Sequence, residues 1–141
     1  MTPAEIDLVK KSWLAATISA AGFAELFYRR LFELDPGLRR MFSDDMASQQ
    51  RKLIVTLTAI IDYLDAPEVL LPKIHELGIR HSGYGVNDAH YLLVEQVLIW
   101  TLEQNLGDAF DSATEQAWRD AYRILADAMR TAEIDNLMYP G

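Results

Sequence analysis

Of the three histidines in this sequence, His81 stands where an imidazole could bind a metal. Ile74, Leu77 and His81 fall at i, i+3 and i+7, which places them on one apolar helix face. Gly83 and Gly85 supply the permissive backbone that ends this helix, so His81 is expected in its last turn, facing inward. A lone histidine on an apolar face is more often a core residue than a ligand, and its surroundings must decide between the two. His75 lies on another face of the same helix and is expected to be exposed, and His90 opens the next helix beside Tyr91, whose face points to the core. No two histidines are spaced i, i+4, so a zinc pair is not expected.

The elements that must position His81 read as helices throughout. Thr2-Pro3-Ala4-Glu5 carries a capping hydroxyl, a proline suited to the first helical position and a Glu three residues after the cap. Ile6, Val9 and Trp13 then mark an apolar face, and Gly22 is expected to separate this helix from a second over about 23–34. Phe23, Phe27, Leu31 and Leu34 stripe that second helix, with Tyr28 and Phe32 on a further stripe, so it should be interior. Asp35-Pro36 begins a short turn of helix ending near Phe42, Ser43-Asp44-Asp45 is a loop, and a helix follows over about 47–64.

Pro72 suits the start of a helix better than its interior, so the helix carrying His81 is expected over about 72–82. Asn87 or Asp88 caps a long helix to Leu106, striped by Tyr91, Val94, Leu98 and Leu102. Ser112-x-x-Glu115 reads as a capping box for the last helix, striped by Trp118, Tyr122, Leu125 and Met129. No segment alternates convincingly as a strand. The expected architecture is all-α, one domain over residues 1–141 with 134–141 as a short tail.

Composition narrows the function. The chain has 13 Lys and Arg against 21 Asp and Glu, a net charge of −8, and Arg29-Arg30, Arg39-Arg40 and Arg51-Lys52 are isolated basic pairs. That charge repels phosphate backbones and anionic lipid, so neither nucleic acid nor membrane is an expected partner. There is no cysteine, which excludes disulfides, thiolate metal sites and covalent haem attachment through paired cysteines. No stretch approaches the roughly 18 apolar residues of a membrane span, nor does the N-terminus read as a leader, and the expected location is cytoplasmic.

From about Glu5 to Glu133 the order of helices and the residues on them resemble the globins, specifically bacterial single-domain globins and the globin half of flavohaemoglobins. The string Leu77-Gly-Ile-Arg-His81-Ser-Gly-Tyr-Gly-Val86-Asn-Asp-Ala-His-Tyr91-Leu-Leu-Val94 resembles the family's proximal segment in spacing and residue type. Phe42 matches the phenylalanine that wedges against haem, Gln49 the distal position, Leu53 its apolar neighbour and Tyr28 the distal tyrosine. The resemblance implies a globin fold, a helical sandwich around haem b, with His81 as iron ligand and Leu57, Leu77, Val86 and Val94 among the cofactor's neighbours. It also implies that Tyr91 and Glu133 hydrogen-bond around the proximal imidazole.

The chemistry of these residue types agrees. Gln49 and His81 are 32 residues apart, enough for one helix to run along a flat cofactor and another to return on its far side. Tyr28 and Gln49 would donate hydrogen bonds to a bound diatomic ligand that carries negative charge, and a carboxylate behind His81 would give the imidazole imidazolate character. The expected function is reversible binding of dioxygen, nitric oxide and carbon monoxide with high oxygen affinity. The alternative is nitric oxide dioxygenase activity, which in a chain of 141 residues would depend on a separate reductase. A sensor role is disfavoured, because no output domain is recognisable.

Overall fold

The structure is a computed structural model that describes residues 1–83 and 85–138, with the side chains of Ser82 and of 133–138 outside the description. It consists of helices α1 (Pro3–Ala16), α2 (Ala20–Leu34), α3 (Met46–Asp62), α4 (Pro67–Gly83), α5 (Asp88–Leu106) and α6 (Ser112–Met138). A 3-10 segment, Pro36–Met41, links α2 to α3 and another, Gly107–Ala109, links α5 to α6. There is no strand among the described residues.

Helix starts follow from local chemistry. Thr2 and Glu5 close a reciprocal capping box at α1, as expected. Asn87 does the same at α5 with an unusual partner: its side chain accepts from the His90 amide, while its own amide donates to His90 Nδ1. His90 is thereby occupied as a cap, and His75 is exposed.

Four boundaries differ from expectation. Gly22 lies inside α2, because Ser19 supplies the cap by accepting from the Gly22 amide. The cap of α6 is Asp111, whose carboxylate accepts from Thr114 at 2.8 Å, a bond that holds its pKa below the usual carboxylate value, while Glu115 pairs with Arg119. This helix runs on to Met138, so the expected tail is helical as far as that residue. Pro72 sits inside α4, which begins a full turn earlier. Leu70 and Ile74 straddle the exposed proline and are buried one turn apart. Their burial, about 1.5–3 kcal/mol each, matches the ~3 kcal/mol that an interior proline costs.

The core centres on Trp13, which packs edge-on to Phe23 at 5.1 Å and tilted against Trp118 at 6.0 Å. Both indoles are satisfied: Trp13 Nε1 donates to Thr58, and Trp118 Nε1 to Ser12, tying α1 to α3 and α6. Helix α6 packs most extensively on α4. At Gly78 the two backbones approach so closely that a β-carbon would lie 2.7 Å from the Met129 carbonyl oxygen and 3.0 Å from the Ala132 methyl. Backbone cannot yield as a side-chain tip does, so Gly78→Ala is expected to destabilise by about 1–3 kcal/mol, read as a lower denaturant midpoint with unchanged slope.

Candidate functional site

On one side of the site, α2 contributes Tyr28 and α3 contributes Gln49, whose Nε2 donates to the Tyr28 hydroxyl oxygen at 3.2 Å. Tyr28 is only 5% exposed, and its ring is wedged by neighbours. Phe42 lies edge-on at 5.5 Å and Phe27 edge-on at 5.2 Å, while Phe32 is tilted by 31° at 5.9 Å. Burial raises the phenol's pKa, and the hydrogen bond from Gln49 offsets this in part. The phenol is therefore held neutral. Because the amide donates to its oxygen, its own proton remains for donation elsewhere.

Arg39 fastens the loop that carries Phe42. Its Nη1 donates to the carbonyls of Phe42 and Ser43 at 3.3 and 3.0 Å, while the guanidinium carbon lies 5.9 Å from the centre of the Phe32 ring. This contact was not anticipated from sequence, where Arg39 reads only as half of a basic pair.

On the other side stands His81 in the last turn of α4. Its Nδ1 lies 2.9 Å from the Leu77 carbonyl oxygen. A carbonyl only accepts, so Nδ1 carries the proton and a neutral ring keeps its lone pair on Nε2. The turn that follows is tied by the Val86 amide donating to the His81 carbonyl, with Gly85 at φ +78° making the reversal.

Tyr91, in the first turn of α5, is 5% exposed, and its main-chain carbonyl accepts from the Tyr122 hydroxyl at 2.6 Å. Arg130 lies over its ring. Burial, followed by the charge of Glu95, raises the Tyr122 pKa, with Arg130 opposing. Sequence periodicity placed Tyr122 on a core stripe and did not reveal Arg130, although its neighbour Met129 marks the buried face. The expected role of Glu133 falls on a side chain outside the described residues.

Phe42, Leu53, Leu57, Leu77, Val86 and Val94 are half-buried and packed on the core. Apolar side chains from α3, α4, α5 and two loops are thus left partly uncovered, with a neutral hydroxyl–amide pair and an Nδ1-protonated imidazole among the residues of the same segments. This donor set and apolar lining suit a flat, largely apolar macrocycle with one axial nitrogen ligand, so the residues present fit haem.

Comparison with known proteins agrees with this chemistry. The sequence profile of the globin family matches residues 25–129. A flavohemoprotein of Chromobacterium violaceum is 34% identical over 116 residues, covering 80% of this chain, which spans 28% of that protein's length. Neuroglobin of Danio rerio is 28% identical over 136 residues and covered to 86%, as is this chain. Among solved structures, an engineered carbene transferase built from a candidate nitric oxide dioxygenase of Rhodothermus marinus superposes with a TM-score of 0.85 at 28% identity, covering 98% of this chain and 96% of that one. The chain belongs to the globin family and has the globin fold. Membership implies a haem cofactor and the binding of diatomic gases.

The two raised phenol pKa values carry a stability consequence. A folded pKa above the unfolded value of 10.0 contributes stability that is complete below that pH and lost as pH rises through the folded pKa. Denaturant unfolding from about pH 9 to about pH 11 should therefore show falling stability. The decline should be shallower in Tyr122→Phe and in Tyr28→Phe than in the unsubstituted protein.

Proposed function

We propose that this chain holds haem b through His81 and binds dioxygen reversibly, with Tyr28 and Gln49 as the hydrogen-bonding pair facing the ligand. The observation that carries the reading is the 3.2 Å contact from Gln49 to Tyr28 within a buried aromatic setting. When bound, haem supplies a ferrous iron with a coordination position for a diatomic gas.

The chain's own residues do the rest. His81 offers Nε2, and the Leu77 carbonyl sets the tautomer and the plane of the ring. Gln49 orients the phenol oxygen so that the Tyr28 proton is the one presented to a ligand with negative charge. Phe42 and Phe32 limit the phenol's rotation and its access to water. Leu53, Leu57, Leu77, Val86 and Val94 supply apolar contact, and Tyr91 backs the histidine side. Nitric oxide and carbon monoxide fit the same site as dioxygen. We place the protein in the cytoplasm on the reading of its sequence.

A second reading, nitric oxide dioxygenase activity with a separate reductase, is favoured by the identity to the flavohemoprotein. It calls for a carboxylate behind His81, the role that sequence suggests for Glu133.

The expressed protein should show a Soret band that responds to reduction and to carbon monoxide; no band after haem addition refutes the proposal. Loss of one hydrogen bond to a charged ligand costs about 1.5–3 kcal/mol, so Tyr28→Phe is expected to release dioxygen roughly tenfold to a hundredfold faster in stopped flow. Mixing the oxygenated protein with nitric oxide and then with flavin or ferredoxin reductases separates the readings. A single turnover with every donor leaves a binder, and sustained turnover makes it an enzyme.

A further inference from the structure

Consecutive residues on α6 touch both segments of the His81 side. The main chain of Met129 fills the space over Gly78, one turn before His81. Arg130 reaches instead toward α5, where its guanidinium carbon lies 4.6 Å from the centre of the Tyr91 ring. Two turns earlier on α6, Tyr122 takes the Tyr91 carbonyl. A single helix therefore holds Tyr91 by its main chain and by its ring face, and sets α4 at the same level.

Among the described residues, the carboxylates paired with Arg130 do not explain its placement. Its Nε is 3.1 Å from Asp88 and its Nη1 3.5 Å from Asp127, but these two side chains are 87% and 76% exposed. Such pairs contribute little in water. The Nε itself is buried and not aligned with Asp88 as a hydrogen bond. The buried Tyr91 face, partly desolvated, is the stronger attractor for a cation.

We propose that Arg130 is the positioning residue of the proximal side: stacked on Tyr91, it keeps that ring and the first turn of α5 in register with His81. The proposal rests on the reading of His81 as haem ligand. It predicts that the cation, more than the bulk of Arg130, governs the environment of the imidazole.

Arg130→Met keeps the aliphatic stem without the charge, and Arg130→Lys keeps the charge without the planar fork. Both are studied as haem complexes. The Tyr91 amide donates to the Asn87 carbonyl at 3.2 Å, and its hydrogen exchange reports the first turn of α5. Exchange there should be about tenfold faster in Arg130→Met and near the original rate in Arg130→Lys. The iron–histidine stretching frequency of the ferrous protein should shift in Arg130→Met and return toward its original value in Arg130→Lys.

Faster exchange with an unmoved frequency would make Arg130 merely structural and overturn the proposal. So would two unchanged readouts, or a lysine that restores neither. If the unsubstituted protein takes up no haem, the proposal falls together with the reading beneath it, and the missing Soret band identifies that outcome.

Discussion

The close approach of α4 to α6 at Gly78 sets the position of everything on the His81 side. The α4 helix is weakly specified by its own sequence: it contains Pro72, which removes one of its hydrogen bonds, and much of its surface is exposed. What holds it is burial of Leu70 and Ile74 and the seating of Gly78 on the Met129 main chain, beside the small side chain of Ala132. His81 lies one turn beyond that contact, so an ångström of displacement at Gly78 is carried along a rigid helix to the imidazole. Local propensity is secondary in this segment, and tertiary packing decides.

The hydroxyls and indoles of the interior obey a different constraint, because an unpartnered one is costly where it lies. Leaving a buried hydroxyl without a partner costs about 1–3 kcal/mol, comparable with the burial of a whole aliphatic side chain. Gln49 offsets that cost for Tyr28, Thr58 and Ser12 do so for the two indoles, and the Tyr91 carbonyl does so for Tyr122. Desolvation raises the pKa of Tyr28 more than the Gln49 bond lowers it, so the phenol is a neutral donor and not a phenolate. A neutral donor suits an anionic partner, which a phenolate would repel.

Much of what depends on neighbours within one turn was readable from residues alone. The caps at Thr2 and Asn87, the apolar stripes apart from Leu34, which is exposed at the end of α2, and the placement of His81 at a helix end belong to this class. Pro72 misled because the gain from burying Leu70 and Ile74 is a tertiary quantity that no local rule contains. Ser112 and Glu115 looked like a capping box, yet Asp111 has the stronger acceptor one residue earlier. In the site, the resemblance to the globins pointed to Tyr28, Gln49 and Phe42, and the structure brings those three together. Arg39 and Arg130 were invisible, because an arginine over an aromatic ring leaves no spacing rule when its partner lies on another element.

The acceptor on Nδ1 is where the fold bears most directly on chemistry. The Leu77 carbonyl also receives the His81 amide as part of the helix, and its two lone pairs allow both bonds. Main chain and ring of His81 are thus anchored to one atom, which couples the imidazole plane to the α4 axis. A carbonyl bears only partial charge, so it orients the ring without drawing its proton away as a carboxylate would. Helix geometry alone therefore fixes the Nδ1–H tautomer and the ring plane, and a more electron-rich ring requires a charged group behind it. On the proposed reading of His81 as haem ligand, a binder and an oxygen-activating enzyme would differ by whether a charged group stands behind the imidazole, since the scaffold beneath them is the same.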